Sequence, residues 1–282
     1  MADLWLRSAT VQIGTRRYSM DTMDFSFEVP FEDSEELTAA TVKIKNLSQQ
    51  TRNAIQKNDV VIINAGYEGD VGAIFVGQVA GYSNKVEGVD LVTTITATAA
   101  LEEWLKKPIN KTYNKGIQAS AILADLLNLF GIEVGQMQLV KDITYPRGKV
   151  CKGMLRDVLT EIITSDCKSR FLIKQGQLFI SNPNQGENKG YVLSGSTGLL
   201  RSSDEQVIIP VETPQKTQES AEKKEEDENL IKRSCFLNYH LGPGELVMIR
   251  SKALIGAGLI VRGKHIGSRT SDWKTEIEVK PQ

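Results

Sequence analysis

Two histidines, His240 and His265, are the only imidazoles in the 282 residues, and imidazole is both the commonest metal ligand and the usual proton shuttle near neutral pH. Neither has a second histidine at i+4 or a neighbouring cysteine, so no metal site is predicted and both read as structural. Paired carboxylates such as Asp157/Glu161 and Glu32/Asp33 could serve as acid and base at a glycosidic bond. With 35 acidic residues in the chain, such pairs are expected on any solvated surface. Ser194-Gly195-Ser196-Thr197-Gly198 bears glycine but lacks the Lys-Ser/Thr ending of a phosphate loop, and no G-x-S-x-G elbow occurs. It reads as a turn. The cluster Ile13-Gly14-Thr15-Arg16-Arg17-Tyr18 is too short for a nucleic-acid surface. Cys151, Cys167 and Cys235 are widely spaced and odd in number, which predicts buried apolar side chains instead of a disulfide framework or zinc site. No residue is therefore assigned to catalysis, cofactor binding or metal binding, and the chain is expected not to be an enzyme.

Composition agrees with that. A chain of this length exceeds one compact core, so two or three domains are expected. Apolar residues make up 40%, charged ones 24%, and the formal net charge is −1, which excludes nucleic-acid binding by bulk charge. The N-terminal residues hold no apolar stretch of signal-peptide length, and nowhere do about 18 apolar residues run together. A soluble chain made in a cytoplasm, without membrane insertion, is the expectation.

The elements that must position any site begin as strands. Thr41 to Lys45 and Leu91 to Ala97 alternate strictly, 60–63 is a short apolar run, and Gly66, Gly69, Gly72, Asn84, Gly88 and Asp90 supply turns. Ser48 could cap a short helix. After Ala100 the period changes. Ile122, Leu123, Leu126, Leu127 and Phe130 predict a helix over 120–130 ended by Gly131. Met154, Leu155, Val158, Leu159, Ile162 and Ile163 predict a second. Two short apolar runs around Gly176 predict a hairpin over 171–180. Residues 211–229 carry seven acidic and three basic side chains and almost nothing to bury, which predicts a flexible loop, with a solvated helix as the alternative. Strands return over 245–250, 259–261 and 273–279.

A faint internal repeat links the two ends. Asp59-Val60-Val61-Ile62-Ile63 matches Glu245-Leu246-Val247-Met248-Ile249, and 13 residues after each acidic residue stands a Gly-x-Ile-apolar-x-Gly pattern, at 72–77 and 258–263. Downstream, Leu91-x-Thr93-x-Ile95-x-Ala97 matches Trp273-x-Thr275-x-Ile277-x-Val279. Such a unit buries one face and leaves edges that closure or a neighbouring chain must cover, which suits a ring.

Phe236 to Val247, with its Leu-Asn strand end and Pro-Gly-acidic turn, then 256–265 and Ser271-Asp272-Trp273-Lys274-Thr275-Glu276-Ile277, resemble the phage tail hub family, also called late-control D-like proteins. The stretch 37–46 running into Lys57-Asn58-Asp59 resembles that family's opening, and the likeness covers most of the chain, departing at 211–229. The resemblance implies a mainly β fold with an α/β insert: two tail-tube-like antiparallel β-barrel or sandwich domains, 1–100 and 186–282, flanking a small α/β domain at 101–185, the second bearing the 211–229 insertion. It further implies a homotrimeric hub that adapts a sixfold tail tube to a threefold spike or tip. Its partners would be the tube, spike and baseplate or wedge proteins, with DNA or a tape-measure protein only passing through the channel. The setting would be the tail of a virion, contractile injection system or headless bacteriocin, assembled in the host cytoplasm. A tail-associated hydrolase would need a further catalytic domain, and a carbohydrate-binding module would need clustered aromatics, whereas Trp5, Trp104 and Trp273 are dispersed.

Overall fold

The computed structural model describes residues 6–32, 39–99, 107–174, 177–183, 185–200, 230–251 and 255–282. Asp33, Trp5, Trp104, Gly176 and the charged stretch 211–229 lie outside them.

The N-terminal strands are β1 (Arg7–Ile13), β2 (Arg16–Ser19), β3 (Phe25–Glu32) and β4 (Ala39–Lys45). After a short helix α1 (Gln49–Asn53) come β5 (Val60–Tyr67), β6 (Asp70–Glu87) and β7 (Asp90–Ala99). Alternation does what the sequence predicts: Ala40, Val42 and Ile44 are buried on one face of β4 while Lys43 is exposed. Ser48 caps α1 by accepting a hydrogen bond from the Thr51 amide at 3.1 Å, satisfying a donor the helix cannot.

The middle module holds β8 (Pro108–Tyr113), β9 (Ile117–Gln118), α2 (Ala119–Leu129), β10 (Val134–Met137), β11 (Thr144–Tyr145) and β12 (Lys149–Met154). Helix α3 (Leu155–Thr160) follows, running on as a π-helical turn over Glu161–Asp166, then β13 (Arg170–Lys174) and β14 (Gln177–Ser181). Ile122, Leu123, Leu126 and Leu127 of α2 meet Leu155, Leu159, Ile162 and Ile163 in one core. The predicted hairpin is present as β13–β14, with β10 added in parallel. Helix α2 ends in a Schellman turn: the Ile132 amide donates to the Leu127 carbonyl at 2.8 Å and Gly131 takes φ +65°. A Cβ at 131 would meet no atom within 4 Å, so Gly131→Ala should cost only the left-handed strain, about 1 kcal/mol, read from the urea midpoint of the full chain.

The C-terminal strands are β15 (Glu187–Ser194), β16 (Ile231–Phe236), β17 (Glu245–Arg250), β18 (Ile255–Ser268) and β19 (Trp273–Pro281). Both ends of the chain join in one 12-stranded sheet, ordered β15-β17-β18-β3-β4-β7-β6-β5-β1-β2, with β19 between β16 and β18. Among the described residues the sheet is open, and the fold is mainly β and sandwich-like with a small α/β insert. One pairing departs from the antiparallel expectation: β15 runs parallel to β17. Buried side chains gather in a cluster dominated by 9–97, one within 109–180 and one within 193–279. The first also takes Leu237 and Trp273, because β18 carries its end of the chain onto β3.

Candidate functional site

Strand pairing shows how far the repeat goes. β5, β6 and β7 are matched by β17, β18 and β19, but the glycine pattern aligns differently from the sequence reading. Val61 and Ala99 both stand opposite Gly77, while Val247 and Pro281 both stand opposite Gly258. Gly258 thus corresponds to Gly77, five residues beyond Gly72. In both units β-bulges interrupt the same ladder at the same place: after Val79↔Ala97 in β6 and after Ile260↔Val279 in β18, so that Ala80 and Val261 are the extra residues. A bulge re-aims all that follows it, and sharing one fixes the equivalence better than short apolar runs.

Downstream of the bulge the units share a side-chain bond. Thr93 Oγ1 donates to Asn84 Oδ1 at 2.8 Å, and its counterpart Thr275 Oγ1 lies 2.9 Å from His265 Nδ1. The Leu241 backbone also bonds the His265 ring. Thr275 Oγ1 also accepts from the Asn238 amide at 3.0 Å. His265 is 3% exposed, and burial pushes its pKa down to about 3. It is a neutral core residue.

The units differ in what lies beside that bond. Residues 262–268 of β18 are paired along their second edge with 26–32 of β3. Phe31 tilts against His265 at 4.9 Å between centroids, and Phe31 and Phe27 lie over Gly263 and Gly267. In β6 the corresponding residues are Tyr82, Asn84 and Val86. No strand among the described residues covers them, and Tyr82 and Val86 are 41% and 69% exposed.

His240 sits at a junction between the units. Its ring stacks on Tyr191 and lies 3.8 Å from that of Tyr239, and its Nε2 is 3.7 Å from Asp70. The Tyr239 hydroxyl donates to Asp70 at 2.8 Å, and its ring rests on Gly72, where a Cβ would come within 2.2 Å. Tyr239→Phe should keep the ring contact and lose the hydroxyl bond, at about 1 kcal/mol in a denaturant melt. Glu245, the acidic residue of the repeat, is buried and bound by Lys189 at 2.8 Å and the Gly242 amide at 3.0 Å.

The remaining candidates take separate places in the fold, with Asp157 and Glu161 together on the α3 run. Glu161 bonds Lys149 at 2.5 Å, while Asp157 is an exposed residue of α3. Glu32 stands opposite Arg262 in the β3–β18 ladder. Residues 194–198 form a turn in which Thr197 Oγ1 accepts from the Ser194 amide at 2.8 Å, and 13–18 is the β1–β2 hairpin. Cys151, Cys167 and Cys235 are buried and unpaired, and burial raises each thiol, Cys235 to about 12. Among the described residues no group of three or more His, Cys, Asp or Glu could hold a metal ion. Sequence reading placed Gly72 and Asn84 in turns, whereas both lie within β6, and it missed the extent of that strand's uncovered edge. The aligned threonines 93 and 275 were the available signal.

No family model and no curated protein matches the sequence. Solved structures do match its fold. The 43 kDa tail protein of prophage MuSo2 from Shewanella oneidensis superposes with a TM-score of 0.68 at 9% identity, covering 98% of each chain. A tail protein from Neisseria meningitidis MC58 gives 0.68 at 9%, covering 99% of this chain and 97% of that one. An Escherichia coli component of the type VI secretion system, itself similar to the T4 bacteriophage tail proteins gp27 and gp5, gives 0.59 at 13%, covering 96% and 76%. The fold of this chain is that of these tail and secretion-system proteins.

Proposed function

We propose that the chain is a non-enzymatic structural hub of a phage or phage-like tail. In this reading three copies form a ring that adapts a sixfold tail tube to a threefold spike or tip and lines the central channel. The observation that carries it is the duplicated unit with its shared bulge and shared threonine bond. Two equivalent units per chain turn three copies into six similar faces, which a sixfold ring can match. The tail proteins of like fold lend support.

The partners are then the tube protein on one side, the spike or tip on the other and baseplate proteins around, with DNA or a tape-measure protein passing through. The domain limits 1–100, 101–185 and 186–282 are part of the same proposal. Imaging of the assembled tail tests it: three copies of this chain at the hub position are expected, and six would overturn it. Release of peptidoglycan fragments by the purified chain above a heat-treated control would overturn the non-enzymatic part.

A further inference from the structure

The three-stranded sheet β10-β14-β13 turns one face to the core of the middle module, where Phe171 and Ile173 of β13 meet Leu178 and Ile180 of β14. Strand alternation then puts Arg170, Leu172, Phe179 and Ser181 together on the second face, in the register pairs Arg170↔Ser181 and Leu172↔Phe179. Leu172 is 4% exposed yet belongs to none of the three core clusters. The turn before β17 covers it: a Cβ at Gly244 would lie 3.4 Å from Leu172 and 2.8 Å from the Arg170 guanidinium.

Between that turn and the sheet lies a pocket of about 120 Å³. Leu172 and Phe179 supply its apolar wall, and the exposed Gln136, Gln138 and Gln185 place its mouth at the surface. With Asn182 the lining holds four carboxamides, and Arg170 is the one charged side chain in it; no carboxylate lines it. The cation is held in place from two sides. Its Nε donates to Ser181 Oγ at 3.3 Å and its Nη2 to the Gln185 carbonyl at 3.5 Å. The turn is fixed as well, since the Gly244 amide donates to the Ile260 carbonyl at 2.8 Å and Gly244 takes φ +76°, which leaves room for the guanidinium. Burial pulls the Arg170 pKa below the ordinary guanidinium value. A cation partly stripped of water attracts an anion more strongly than one at the open surface.

Size and charge select the ligand. A cavity of about 150 Å³ takes a benzene ring, and pockets for whole small molecules begin at about 300 Å³, so this one admits a group the size of a side chain. One guanidinium balances one negative charge and presents a planar fork to a planar carboxylate. Carboxamide NH2 groups add neutral donors, and Gln138 Oε1 already accepts from Gln136 at 3.4 Å. The apolar wall suits a short hydrocarbon stem. A phosphate dianion would be left with excess charge.

We infer that this pocket is a binding site for a carboxylate on a short apolar stem, with Arg170 as its cation and Gln138 and Asn182 as neutral donors. A free small acid and a glutamate side chain of a partner protein share that chemistry. The inference is independent of the hub reading, because binding is read on the purified chain whatever it assembles into.

Propionate, which is the glutamate side chain without its backbone, is titrated into the isotope-labelled full chain and followed by NMR, with propionamide as its neutral counterpart. Propionate is expected to shift the Arg170 Nε–H and Gln138 side-chain resonances and to bind about tenfold or more tighter than propionamide. Equal responses to the two, or tighter binding of inorganic phosphate, overturn the inference. Arg170→Gln should weaken propionate binding about tenfold or more. Because Arg170 is half-buried, Gln136→Glu serves as the second variant: it sets a competing carboxylate at an exposed position of the mouth, should keep the wild-type melting profile, and should weaken propionate about tenfold as well. Undiminished binding in either folded variant overturns the inference. The peptide acetyl-Ala-Glu-Ala-amide separates the two sources. Binding of the peptide at least as tight as that of propionate assigns the site to a partner's side chain, and binding of propionate alone assigns it to a free acid; both uphold the site.

Discussion

Lowering the pH from about 7.5 to about 4.5 should destabilise the wild-type chain by about 2–3 kcal/mol more than the variant His265→Asn. The imidazole of His265 is neutral in the fold, with its pKa pushed from 6.5 down to about 3 by burial. An unfolded chain takes up that proton near pH 6.5 and the folded chain does not. Stability from this group is therefore fully present above pH 6.5 and drains away between there and about 3, at about 1.4 kcal/mol per pH unit. Asparagine is the chosen replacement because the first unit already uses it: Asn84 is bonded to Thr93 as His265 is to Thr275. Chemical denaturation of both proteins at both pH values checks the prediction, since the carboxylates and His240 contribute alike and cancel in the difference. A parallel pH dependence in the two proteins would show that His265 is hydrated or charged in the fold.

The second large effect is expected at Gly263→Val. A Cβ there would come 2.3 Å from the Glu276 carbonyl oxygen and 2.7 Å from the Phe31 ring. One neighbour is backbone in the β18–β19 ladder and cannot swing aside; the other is the side chain that closes the seam with β3. Relief requires one of the two ladders to move, so a loss of about 3 kcal/mol or more is expected, above ordinary overpacking. The companion is Gly81→Val on β6, where a Cβ would meet nothing within 4 Å and the cost should stay within about 0.5 kcal/mol. Urea midpoints of the two variants give the comparison. Similar losses at both sites would mean that the β3–β18 seam yields more freely than its packing implies.

Much of this fold is legible in the sequence, for physical reasons that differ along the chain. The helix α2 and its stop could be read because burial on one face imposes a 3.6-residue period and only glycine accepts φ +65° at low cost. Strands β4, β7 and β19 could be read because each buries every second residue. The 14-residue length of β18 could not, since only part of it alternates while the rest passes from one partner to another. The repeat was visible, with 59–63 on 245–249 and 91–97 on 273–279 in the right register, but the middle strand was not: a bulge leaves no mark in residue type, and the glycines at 72 and 258 invited the wrong alignment. The resemblance carried by 236–247 and 271–277 pointed to the right fold. It held no information on which edge lies open, because that depends on β3 having been used elsewhere.

The β3–β18 seam also bears on how the chain is made. Lys264 and Glu28, 236 residues apart in sequence, meet across it at 2.9 Å. A ribosome delivers β3 early, at which stage only its first half has a partner, in β4. Phe31 and the second half of the strand must then wait for β18, which begins only at Ile255. Contacts of such sequence separation form slowly, and strands left waiting in the meantime are prone to aggregate. Chains stalled before β18 should therefore be less soluble than chains that contain it, because the glycines that admit the Phe27 and Phe31 rings lie on β18.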